Sequence, residues 1–179
     1  MGLFGRGNER RAGAAAGAAP QHPVVDESLI DESGLGPLRP RDRRLGPAEE
    51  ARVAAGLEAL TAAGVDVGDL ESLGAGFDRD LLEWKDISRR KRPDHAGIVE
   101  MYAVGIGEHL SRTTDLRWRV VTDVFGTDLA VTDQVEGDFV VVPHNLVAAR
   151  WMRGEAGWLP GVVRHLIGVR ASAAPDAHA

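Results

Sequence analysis

An α+β fold follows from three features of the 179-residue sequence. The stretch LRWRVVTD alternates apolar Leu116, Trp118 and Val120 with polar Arg117 and Arg119, the two-residue period of a half-buried strand. Two further strand-like runs, GTDLAVTD and DFVVVP, follow after loops short enough for hairpins, so the three make an antiparallel meander. Patterns with apolar residues three and four apart precede and follow it, flanking the meander with four to five helices.

Residues 1–45 mix glycine, proline and charges of both signs around short apolar clusters, the composition of a disordered leader. Within it, acidic VVDESLIDESG (Val24 to Gly34) precedes basic RPRDRR (Arg39 to Arg44), which suits a docking peptide or simply a solvated leader. Pro47 fits a first helical turn, and Glu49 and Glu50 sit near the positive end of its dipole. Val53, Leu57 and Leu60 share one face of that helix, and Gly64 closes it. Phe77, Leu81 and Trp84 mark a second helix, with a break expected near Gly74 and Gly76. Pro93 disfavours helix at Arg92, and Asp94 is placed to cap a third helix running past Leu110. Gly105 and Gly107 inside it each cost about 1 kcal/mol relative to alanine, so something must pack closely on that backbone. Pro143 stops the third strand, NLVAARWMRGE reads as a helix closed by Gly154, and Trp158 to Gly168 as the last helix. The outcome is one folded domain over residues 46–168, followed by a disordered tail, 169–179.

Composition narrows the function. With 27 acidic against 21 basic side chains the formal charge is -6, so attraction to nucleic acid or an anionic membrane is not favoured. The absence of cysteine removes disulfides, thiolate catalysis and cysteine-based metal sites, and suits a reducing cytoplasm. No stretch approaches the roughly 18 consecutive apolar residues of a membrane span. The Ala/Gly run near the start is too weakly apolar for a signal peptide, and Arg6 stands where a myristoylation signal needs Ser or Thr.

Motifs with a built-in chemistry are missing. Gly105 to Gly107 lies inside a helical pattern and so is no phosphate loop; the six histidines lack HxxxH or HxH spacing; there is no GxSxG elbow. No cofactor or metal is expected. His144, just after Pro143, is the histidine to test as an acid-base group, with helix-leading as its plain alternative. Arg89 to Arg92 is the one concentrated basic patch, suited to an acidic protein partner, to weak nucleic-acid contact, or to a solvated connection. Glu108 and Arg150 each lie on a helix with a mainly apolar face, and unpaired buried charge is costly; a salt bridge between them across the meander's flanking helices is expected.

Read together, GIGEHL, LRWRVVTDVFGTDLAV and FVVVPHNLVAARWMRGE resemble a bacterial family described as domain of unknown function 3806. The likeness lies in the order: Gly107, Glu108 and Leu110 in a helix, Trp118 in a strand, Gly126, Asp128, Leu129 and Ala130 in a turn and strand, and Pro143 before a helix bearing Arg150. It covers residues 94–155, and Leu70 to Trp84 fits the same module. The resemblance implies a compact α+β domain and transfers no catalytic residue.

The leading expectation is therefore a cytoplasmic, non-enzymatic interaction module whose partner is another protein. Arg117 and Arg119 face away from the predicted core, and Trp151 and Trp158 bracket Arg153; such groupings anchor interfaces, though core packing is the favoured place for these tryptophans. The alternative is a small enzyme with Glu108, Asp128, His144 and Arg150 gathered beside the sheet. A nucleic-acid binder using Arg89 to Arg92 comes third. Glu108, Trp118, Asp128, His144, Arg150 and Trp151 are the residues to locate.

Overall fold

The computed structural model describes residues 41–123, 126–133 and 139–173. In chain order these form β1 (Arg41–Arg43), α1 (Pro47–Ala62), α2 (Leu70–Asp86), α3 (Ala96–Thr113), β2 (Arg117–Asp123), β3 (Gly126–Thr132), β4 (Val140–Val141), α4 (Pro143–Arg153) and α5 (Leu159–Ala173). The sheet is antiparallel throughout with strands in sequential order, so the expected α+β class and its meander, β2 to β4, are both present.

A fourth strand adds to the meander and lies inside the expected leader. β1 pairs Arg41 with Thr122 and Arg43 with Val120. Its three residues, Arg-Asp-Arg, are all exposed, so no apolar alternation marks it in the sequence. Charge fixes it instead: Asp42 pairs with Arg119 on β2, and Arg43 donates to Glu49 on α1 at 2.8 Å. Glu49 also reaches back to the backbone N–H of Gly46 at 2.7 Å, the half of a capping box that a glycine cap permits. The Val24 to Gly34 segment lies outside the described residues.

α3 is the central helix, and its glycines explain the packing. A Cβ on Gly105 would lie 2.8 Å from the side chains of Leu60 on α1 and Leu73 on α2; one on Gly107 would lie 2.1 Å from the Trp118 ring on β2. The expected close approach on that backbone is thus made on two sides. α2 runs unbroken through Gly74 and Gly76, contrary to the expected break. There the missing side chains admit Pro160 against Gly74, and Val65 and Tyr102 against Gly76. His109, buried on α3, donates from Nδ1 to the Val67 carbonyl at 2.8 Å and ties down the α1–α2 connection.

The helices pack on one face of the sheet. Val53 of α1 and Val104 of α3 meet Val120 and Leu129, while Val147 of α4 shares a cluster with Val131 and Val141. Gly154 closes α4 in the left-handed conformation, φ 66°, as its place in the sequence requires. α5 extends to Ala173, five residues beyond the expected end at Gly168. Arg170 holds that extra turn, donating to Asp115 at 2.6 Å and to Asp133 at 3.0 Å.

Candidate interaction surface

The expected Glu108–Arg150 salt bridge is not formed. Glu108 accepts from Arg112 one turn along α3 at 2.8 Å, and its other oxygen accepts from the Trp118 indole at 3.2 Å. Two of the predicted residues, Glu108 and Trp118, are therefore brought together. Arg150 instead lies over the ring of Trp158, 4.4 Å from its centroid, and donates to the Leu146 carbonyl of its own helix at 3.2 Å. Stacking on an indole offers a guanidinium partial charge compensation without a carboxylate.

His144 in the first turn of α4 meets Glu100 of α3, Nδ1 to Oε2, at 3.3 Å. The same carboxylate takes two hydrogen bonds from Arg52 of α1, at 2.5 and 2.7 Å. Burial pushes the Glu100 carboxyl up, but the bonds and charges of Arg52 and His144 outweigh it and hold the group below its ordinary value. The cavity here, lined by Arg52, Glu100, Trp118 and His144 among others, measures about 10 Å³, room for one water at most. Glu108, Asp128 and Arg150 do not line it. Asp128 sits on β3 opposite Val121 and reaches this group only through its charge on Arg52. The four residues of the enzyme reading thus do not converge. Among the described residues no cluster of three His, Asp or Glu has the geometry to hold a metal ion.

The ends of α2 and α4 build a different kind of site. Phe77 of α2 meets Tyr102, Trp151 and Trp158 edge-on, at centroid distances of 5.5, 5.7 and 5.5 Å. Trp84 lies 5.4 Å from Trp151, and His95 stacks parallel to Trp151 at 6.1 Å. Edge-to-face pairs of this kind contribute about 0.5–1.5 kcal/mol each beyond burial. Trp151, for which the sequence favours core packing over an interface anchor, is 2% exposed and belongs to the core. Tyr102 donates to Asp80 at 2.7 Å; burial first, then that bond, pushes its hydroxyl pKa up.

This aromatic layer grips the basic turn. Arg92 lies 4.4 Å over Trp84 and donates to the Lys85 and Ile87 carbonyls where α2 ends, at 2.7 and 3.0 Å. The Trp84 indole donates to the Pro93 carbonyl at 2.9 Å. Arg92 is therefore a structural residue, and the exposed part of the basic run is three residues long. Arg89, Arg90 and Lys91 are exposed and make no side-chain hydrogen bond or ion pair among the described residues. Beside them Leu82, Ile87 and Met152, from the ends of α2 and α4, stay 58, 37 and 72% exposed. The sequence singled out Phe77, Leu81 and Trp84 on α2 and gave no sign that α4 would set Met152 at the same end.

No helix among the described residues is long and apolar enough to cross a membrane. No curated protein and no solved structure matches the chain. A model of the domain of unknown function 3806 matches residues 69–160, just over half of the sequence. That span runs from the cap of α2 into the first turn of α5 and takes in the whole meander. The chain, with its glycine-lined α3 against Trp118 and its α4 led by Pro143, belongs to the domain of unknown function 3806 family.

Proposed function

We propose that the protein is a non-enzymatic interaction module of the bacterial cytoplasm, binding another protein through the end of the fold where α2 and α4 finish. The observation that carries this reading is the combination there of exposed Leu82, Ile87 and Met152 with three exposed cations, Arg89, Arg90 and Lys91, that make no ion pair among the described residues. Apolar side chains supply contact area, and unneutralised cations favour and steer a partner that carries carboxylates. The aromatic layer beneath holds this surface in one conformation, which lowers the entropy lost on binding. A cavity of about 10 Å³ at His144 has no room for a substrate, which speaks against an enzyme acting at that histidine. The absence of cysteine supports a reducing compartment.

Affinity capture with the tagged full chain from its own host tests this. The wild type retains a partner, whereas Leu82→Ser with Met152→Glu, and separately Arg89→Ser, Arg90→Ser and Lys91→Ser together, each lose it. These positions are exposed, so each substitution should shift stability by no more than about 0.5 kcal/mol. The same partner held by both variants would overturn the reading.

A further inference from the structure

Of the 21 basic side chains only Lys85 and Lys91 are lysines, one in the last turn of α2 and one in the turn that follows it. They differ in what surrounds the amine. Lys85 lays its Nζ over Gly154, the left-handed residue that closes α4, where an added Cβ would stand 2.8 Å from it. The carbonyl end of a helix holds an ammonium favourably. Lys91 closes a tight turn, its N–H donating to the Ser88 carbonyl at 2.8 Å, with Arg89 and Arg90 as the two central residues. Its side chain and those of both arginines are exposed and make no hydrogen bond or ion pair among the described residues. Arg92 fixes the turn through the Lys85 and Ile87 carbonyls. One turn therefore presents two guanidinium groups and a primary amine together.

We propose that Lys91 is a site of covalent modification, acetylated by acyl phosphates. Such a donor carries its phosphate on the very carbonyl carbon that an amine attacks. A guanidinium that takes the phosphate oxygens in its planar fork brings that carbon beside a neighbouring amine. Lysine is the one basic residue of this turn whose nitrogen is a ready nucleophile. The Lys91 ammonium first yields one proton to water, and Nζ then attacks the carbonyl carbon. The carbon–nitrogen bond forms as the carbon–oxygen bond to phosphate breaks, and the second proton leaves with hydrogen phosphate. Arg89 and Arg90 stabilise the negative charge that gathers on the departing group. The product is a neutral amide, so the turn loses one of its three exposed cations. That this loss weakens an acidic partner rests on the proposed function; the modification site does not.

The full-length chain treated with acetyl phosphate and read by mass spectrometry offers only two lysine side chains to compare. Lys91 is expected to acetylate faster than Lys85. Arg89→Ser combined with Arg90→Ser should slow Lys91 about tenfold, the gain that fixed cations give by concentrating an anion, and leave Lys85 unchanged. The uncharged N-hydroxysuccinimide ester of acetic acid should acetylate Lys91 at the same rate in both proteins. The substituted positions are exposed, so the fold is retained. Equal rates at the two lysines with acetyl phosphate, or a Lys91 rate untouched by the double substitution, would overturn the proposal. So would a double substitution that slows the uncharged ester as much as acetyl phosphate. These readouts involve no partner protein, so their failure is distinct from a failed affinity capture.

Discussion

Gly107 offers the Trp118 ring the space that any other residue would fill. An added methyl would stand 2.1 Å from ring carbons of a residue fixed in a paired strand, so neither side can move cheaply. Overpacking of this kind costs about 1–3 kcal/mol. Gly97, also in α3, has nothing within 4 Å of its would-be Cβ, and alanine there gains up to about 1 kcal/mol of helix propensity. Urea midpoints should therefore move in opposite directions for Gly107→Ala and Gly97→Ala. A double-mutant cycle should likewise find coupling between Glu108 and Trp118 and none between Glu108 and Arg150. The glycines were legible in the sequence because a helix interior tolerates them only for a reason. Their partner was not, since Trp118 arrives from a strand after a turn. The polar clasp was misassigned because residue type says that a charge on an apolar face needs company, and helix rotation decides which. Glu108 found an indole N–H, and Arg150 found an indole face.

Among the elements, β1 is the one that apolar patterning could not reveal, because its ladder and ion pairs hold it without a buried side chain. It is also the one that pH should release. Arg43, and after it the Gly46 N–H, lower the Glu49 carboxyl from its ordinary 4.5 to about 2. A depressed carboxylate pKa contributes stability that is present above the unfolded value and lost as pH falls through the folded one. The protection of β1 amides, taken relative to the intrinsic exchange rate at each pH, should accordingly fall as pH drops from about 4.5 towards 2, while Glu49→Gln should show low protection there already at neutral pH. At the other end, α5 outran its expected boundary because its last turn is held by long-range charge, which has no local signature. Arg170 and Asp133 have side chains only 12 and 9% exposed, whereas Arg164 and Glu71 form an exposed pair. Arg170→Ala should thus lower the melting temperature more than Arg164→Ala, since breaking a buried pair strands a charge and an exposed pair contributes at most about 1 kcal/mol.

For the whole molecule, the α+β class, the meander and most helix ends could be read from period and punctuation: Pro47, Pro143 and Gly154 all act where the sequence puts them. The site could not, because it depends on two helix ends meeting. Trp84 and Trp151, distant in sequence, bring α2 and α4 together, Arg92 folds its turn back over Trp84, and what is left outward is apolar and cationic. On the proposed function, this end of the molecule is where a partner binds. The most direct measurement replaces Met152 with a photo-reactive residue in the host and compares it with the same residue at exposed Ala54 on α1. Crosslinks to one protein from position 152 and none from position 54 are the predicted result. Equal yield from both positions, or crosslinks from 54 alone, would contradict it.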